Sequence, residues 1–151
     1  MSTSTLLDRA AVEALIPHRE PFLLVDEASD IEPGRRLSAA YLVPHELDVF
    51  RGHFPDFPVL PGVLVVEHMA QAACVLMNVA SDGADTDGKI PVLAKVENCS
   101  FNGMVRPGDR LETVVELERE VGQFTIFAVR AAVAGKRVAK CNLVVSTATI
   151  S

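Results

Sequence analysis

The chain has 151 residues, 49% hydrophobic and 23% charged, with 20 Asp and Glu against 14 Lys and Arg and a formal net charge of -6. Those values describe a single globular domain over residues 1–151, with enough apolar side chains for a core. The acidic balance and the scatter of the basic residues speak against a nucleic-acid partner held through phosphates.

The first residues, Met1 to Arg9, show no basic start followed by an apolar core, so no signal peptide is expected. Leu6, Leu7, Ala10, Ala11, Ala14 and Leu15 recur at helical spacing and predict a short amphipathic helix before Pro17. Phe22-Leu23-Leu24-Val25 predicts the start of a strand, Pro33-Gly34 a turn, and Leu37 to Val43 a second strand. The stretch from Pro44 to Pro61 also contains Pro55, Pro58, His45, Gly52 and His53. Its prolines exclude regular helix and spoil a sheet ladder, which leaves a stiffened loop suited to placing functional groups.

Pro61-Gly62 then opens a long helix from about Val63 to Ala80. This helix is apolar nearly all round and is expected to be buried on most sides, with Glu67, Gln71 and Asn78 on one stripe. With His68 it carries more polar groups than a membrane span tolerates, so no membrane span is expected and the chain reads as cytoplasmic. Ser81 to Lys89 reads as a polar loop. Beyond it Leu111, Thr113, Val115 and Leu117 alternate with Glu112, Glu116 and Glu118, as in a half-buried strand. Pro107-Gly108-Asp109, Val121-Gly122 and Ala134-Gly135-Lys136 separate successive strands at hairpin-like spacing. One long helix among antiparallel strands points to an α+β layer arrangement, with the sheet wrapped around the helix.

Cys74, Cys99 and Cys141 are odd in number and form no CxxC, so buried reduced thiols are expected rather than disulfides or zinc. No His/Cys/Asp/Glu cluster has ligand spacing, and neither a metal nor an organic cofactor is expected.

Three features carry chemistry. Histidine as a residue type titrates near neutrality, so His53 can act as a base, although a loop histidine alone is more often a plain surface residue. Glu67, set in an apolar helix, is expected to lose solvation, so that its carboxyl stays protonated and can serve as a general acid. The alternative is a buried structural Glu with a partner. Pro61-Gly62 starts a helix whose free N–H groups would hold a carbonyl oxygen gaining charge, and Gly62 leaves room for a ligand to approach the backbone. The alternative there is an ordinary proline-initiated helix. Base, acid and oxyanion donor together suit removal of a proton beside a thioester carbonyl with loss of a nearby hydroxyl. His68 points about 100° away from Glu67 round the helix and reads as structural. Gln71 either orients Glu67 or meets solvent or an interface. His18 and His45 have no evident partner.

At this point a resemblance enters. Gly52-His53-Phe54-Pro55, Pro58-Val59-Leu60-Pro61-Gly62-Val63 and Glu67-His68-Met69-Ala70-Gln71 together resemble the signature of the 3-hydroxyacyl-acyl carrier protein dehydratases. Ile16 to Asp26, Phe101 and Pro107-Gly108-Asp109 are similar to flanking parts of that family, so the likeness runs roughly from residue 16 to 147. The resemblance implies a hot-dog fold and a homodimer with shared active sites, each taking its His from one subunit and its Glu from the other; a higher oligomer or a heterodimer stays open. It places the catalytic pair on His53 and Glu67, the oxyanion glycine on Gly62 and the carbonyl that orients the imidazole on Val59. Phe54, Pro61, Val63 and Gln71 fall where substrate would bind. A Glu at 67, where a sister branch has Asp, favours dehydration without isomerisation of the double bond.

The implied substrate is a 3-hydroxyacyl thioester on acyl carrier protein or coenzyme A. An acidic carrier would need a local basic patch, for which Arg51, Arg106 and Arg110 are the candidates. Three departures from the family pattern bear on the acyl tail and carrier. Pro91-Val92-Leu93-Ala94 has no aromatic, Arg51 precedes Gly52, and Asn102-Gly103-Met104 lacks a basic pair. Bulk fatty acid synthesis and a specialised polyketide, polyene or lipid pathway therefore both stay open. Two rivals share the fold. A hot-dog acyl thioesterase would not need the Gly-His-Phe-Pro base, and a non-catalytic acyl-binding or scaffold subunit would not need both His53 and Glu67.

Overall fold

The computed structural model describes residues 6–80 and 89–149. Helix α1 (Arg9–Leu15) leads to strands β1 (Glu27–Glu32) and β2 (Arg36–Leu42), then a single 3-10 turn at Asp48–Arg51 and the long helix α2 (Gly62–Ala80). Strands β3 (Lys89–Phe101), β4 (Arg110–Val121), β5 (Phe124–Val133) and β6 (Lys136–Thr149) complete the chain. All six strands join one antiparallel sheet in the order β1-β2-β4-β5-β6-β3. The sheet packs on α2, which is the α+β hot-dog arrangement.

Period-two alternation builds the inner face of the sheet. Leu37, Ala39 and Tyr41 of β2, Leu111, Thr113 and Val115 of β4, and Phe127, Val129 and Ala131 of β5 are all buried. Against them α2 buries Val65, Met69, Ala72, Ala73, Val75 and Leu76. The alanines carry little bulk, so the helix axis can lie close to the sheet. A side chain as fully enclosed as Phe127 contributes on the order of 1.5–3 kcal/mol. The β4–β5 turn needs a left-handed residue, and Gly122 supplies it at φ +59. By length and composition α2 could cross a membrane, yet it is mostly buried inside this domain.

Two expectations change. Phe22 to Val25 is not a strand, because side chains of α2 take its backbone groups. The Leu24 N–H donates to Gln71 Oε1 at 2.8 Å, Leu24 O accepts from His68 Nδ1 at 2.7 Å, and Phe22 O accepts from Gln71 Nε2 at 2.8 Å. Strand β1 begins only at Glu27. The long helix starts at Gly62 rather than Val63, with Pro61 O accepting from Leu64 and Val65 N–H at 2.9 and 3.1 Å. The loop expected over Ser81 to Lys89 lies outside the described residues except for Lys89, which opens β3.

One strand stands apart. β3 pairs with β6 on one side only, and residues 92–99 are exposed throughout. Val92, Leu93, Val96 and Phe101 along it are 39–51% exposed.

Candidate active site

The proline-rich loop holds His53 through backbone groups. The N–H groups of Gly52 and His53 both donate to Val49 O, at 3.2 and 3.0 Å, as the chain leaves the 3-10 turn. Val59 N–H then donates to His53 O at 3.0 Å, and His53 Nδ1 donates to Val59 O at 2.8 Å. A carbonyl only accepts, so this bond places the imidazole proton on Nδ1 and leaves the Nε2 lone pair free. The Phe54 ring stacks on the imidazole, with centroids 4.1 Å apart.

A second strap fastens this loop from outside. Leu60 N–H donates to Val105 O at 2.8 Å, and Arg106 Nε donates to Pro58 O at 2.7 Å. The Arg106 guanidinium also lies 4.0 Å over the Phe57 ring, a cation–π contact.

Glu67 is held by side chains instead. Gln71 Nε2 donates to Glu67 Oε2 at 2.9 Å, one helical turn away. Because Gln71 is itself fixed to Phe22 and Leu24, α2 and the 22–25 segment jointly set the carboxylate. His18 Nε2 stands 3.6 Å from the same oxygen. The Glu67 side chain is 23% exposed, so it is half-buried rather than sealed in the apolar helix as expected. Asn78, lower on the same stripe, donates to Leu15 O at 2.6 Å.

At the start of α2, the amides of Gly62 and Val63 precede the first helical bonds and lack helical partners. A Cβ on Gly62 would meet the Phe101 ring at 3.1 Å, so the glycine admits that ring against the backbone. Val63 is 75% exposed and Phe54 51% exposed, while Pro61 is half-buried.

Within one chain the His53 and Glu67 clusters share no hydrogen bond or ion pair among the described residues. The structure instead groups His53 with Val59 and Phe54, and Glu67 with Gln71 and His18.

Several site expectations are corrected. Gln71, expected where substrate would bind, is fully buried, with its amide oxygen and nitrogen committed to protein groups, one of them Glu67. Arg106 is not a free docking charge, since its guanidinium braces the loop. Arg110 is shared between Glu27 at 3.4 Å and Glu112 at 3.5 Å, and these contacts push its pKa up. Arg51 pairs with Asp48 at 3.3 Å with both side chains more than 80% exposed, a pairing that water largely screens. Cys99 is exposed on β3, whereas Cys74 and Cys141 are buried.

His68 is structural, as expected. It is fully buried, stacks with Tyr41, and its pKa is driven down to about 4, chiefly by burial. His45 packs against the Gly108 turn. Sequence reasoning missed the approach of His18 to Glu67, the bracing of the loop by Arg106 and the contact of Phe101 with Gly62. Each depends on a partner far away in the chain, and no local spacing signals it.

The comparisons with known proteins agree with this layout. A family model described as a FabA-like domain matches residues 16–142. The chain is 42% identical over 133 residues to a 3-hydroxyacyl-[acyl-carrier-protein] dehydratase FabZ of Halalkalibacterium halodurans, covering 87% of this chain and 92% of that protein. It is 40% identical over 117 residues to the protein of the same name from Bacillus subtilis, covering 78% and 81%. Among solved structures, the dehydratase heterocomplex ApeI:P of Xenorhabdus doucetiae is similar at a TM-score of 0.74 and 18% identity, over 91% of each chain. At that identity the likeness speaks for the fold alone.

Proposed function

Since the chain belongs to the FabA-like family, we infer that it is a 3-hydroxyacyl-acyl carrier protein dehydratase, which converts a 3-hydroxyacyl thioester to the trans-2-enoyl thioester and water. The observation that carries the assignment of roles is the 2.8 Å bond from His53 Nδ1 to Val59 O. It keeps one ring proton on Nδ1, so that Nε2 is the nitrogen left to take up a proton, as a general base needs. His53 takes the C2 proton. Glu67 protonates the departing C3 hydroxyl, which leaves as water. The Gly62 and Val63 amides at the positive end of α2 receive the thioester oxygen as charge builds on it. Phe54, Pro61 and Val63 line the path of the acyl chain. Arg51 takes part in docking the carrier.

The enzyme works as a homodimer with shared sites. Two observations support this reading: the base and acid clusters share no hydrogen bond or ion pair among the described residues of one chain, and β3 offers a long unpaired edge bearing Val92, Leu93 and Val96. An exposed edge of this kind invites a partner strand. Pairing across a two-fold axis would cover it and bring His53 of one subunit towards Glu67 of the other.

The test mixes two inactive proteins. His53→Ala and Glu67→Ala each leave every site defective. In a mixed dimer one site carries both defects and the other carries neither. With random pairing about half the dimers are mixed, so roughly a quarter of wild-type sites should return on co-refolding. Recovery near zero, with subunit exchange verified by tags, rejects the shared site.

A further inference from the structure

His18 sits in the connection between α1 and β1, flanked by Pro17 and Arg19. Its Nε2 lies 3.6 Å from Glu67 Oε2, the oxygen that also accepts from Gln71 at 2.9 Å. Two protein groups thus converge on one carboxyl oxygen, and no hydrogen bond from a described residue reaches the other, Oε1.

The other end of the ring is equally telling. His53 and His68 each have Nδ1 held by a carbonyl, at 2.8 and 2.7 Å, which fixes where the proton sits. His18 Nδ1 is buried and has no hydrogen-bond partner among the described residues. No described residue therefore locks its tautomer, and the ring can carry a proton on either nitrogen. Its side chain is still 20% exposed, so solvent can reach the ring. The charged groups that bear on it are Glu67, from α2, and Arg19, which is tied by its guanidinium to the carbonyls of Ile16, His18 and Glu13. Burial lowers the pKa of His18 and Arg19 does the same, against the pull of Glu67. A proton placed on this ring is readily given up.

The reaction proposed above leaves a proton debt at Glu67. In each turnover His53 gains the C2 proton, and Glu67 loses its own to the departing water. Before the next substrate is bound, Glu67 must regain a proton and His53 must shed one.

We propose that His18 returns the proton to Glu67, delivering it to Oε2 while Oε1 faces the leaving hydroxyl. This rests on the dehydratase reading. In the transfer the Nε2–H bond of the protonated ring breaks, an O–H bond forms on Glu67 Oε2, and the imidazole is left neutral. Solvent water reprotonates the ring, and the proton that His53 releases to solvent balances the exchange. The two oxygens of one carboxyl let the proton enter on one side and leave from the other without turning the side chain. His18 acts through Glu67 and so is a positioning and proton-supplying residue.

The test is His18→Gln, which keeps a polar side chain but cannot titrate, with His18→Asn as a second variant should the first fail to fold. In dilute buffer kcat should fall at least about 10-fold with KM little changed, a smaller loss than the roughly 10²–10⁴ of a group acting on substrate itself. Added imidazole should restore the variant's kcat in proportion to its concentration and leave the wild type unaffected. A folded variant with wild-type kcat in dilute buffer, or one whose loss ignores imidazole, overturns the proposal. A second readout does not depend on turnover: the carboxyl signal of Glu67, followed by NMR through a pH titration, should shift its midpoint in the variant. An unchanged midpoint also overturns the proposal. A wild-type protein that fails to dehydrate any 3-hydroxyacyl thioester sinks the dehydratase reading instead, and the NMR titration still reports whether His18 and Glu67 are coupled.

Discussion

His53 and Glu67 are held in place by opposite means. The imidazole answers to main-chain atoms: its proton goes to the Val59 carbonyl, and the loop that carries both residues is closed by peptide groups and prolines. The carboxylate answers to side chains: Gln71 reaches it along the helix, and Gln71 is itself held by the backbone of residues 22–24. A carbonyl survives almost any substitution of the residue that owns it. A glutamine side chain does not. The base should therefore tolerate changes among its supporting residues, and the acid should not.

The largest effects fall on the two groups themselves. His53→Ala and Glu67→Gln should each lower turnover by roughly 10²–10⁴ with melting temperature close to wild type. A folded, active Glu67→Gln protein would reassign Glu67 as a structural residue.

The comparison itself is broken or upheld one step further out. Gln71→Leu leaves the Leu24 N–H buried without an acceptor and lets the Glu67 carboxylate swing free. Urea unfolding should show a loss of about 1–3 kcal/mol, and turnover should fall with it. If activity survives, side-chain support of Glu67 is unimportant and the contrast fails.

His68 joins the same framework through Leu24, and pH reads it out. Its pKa is depressed from 6.5 to about 4 in the folded protein, so below 6.5 the unfolded chain binds the proton first. Its contribution to stability is full above about 6.5 and drains away as the pH drops towards about 4, reaching a loss of roughly 3 kcal/mol. His68→Asn keeps a nitrogen donor near Leu24 O but cannot titrate, and its stability should vary less over that interval. Denaturant midpoints collected between those limits check it.

Smallest of all should be Val59→Ala. The carbonyl that orients His53 is main chain, so turnover should stay within about a factor of two. A steep loss would show that the valine side chain, and not the peptide, sets the imidazole.

Much of this was legible in the chain. The apolar run after Pro61-Gly62 gave the helix to within one residue, and the alternation from Leu111 to Leu117 with its glycine turns gave the meander, because both signals are local and periodic. The pairing of Val59 with His53 followed from resemblance over a short loop. Phe22 to Val25 was misread since its composition is that of a strand, while the groups that satisfy its backbone belong to Gln71 and His68 on α2. His18 gave no signal, for a histidine near an N-terminal helix says nothing about a carboxylate on another helix.

The strand order also sets the order of events during synthesis. β3 emerges third among the strands, yet its partner within the chain is β6, the last one made. Strands β1, β2, β4 and β5 can pair as they appear, whereas β3 must wait with both edges open until Lys136–Thr149 has left the ribosome. A nascent chain of this protein passes through a stage in which Val92, Leu93 and Val96 lie on a strand with no neighbour at all, the period in which it is most exposed to chaperones and to misassembly with other unfinished chains.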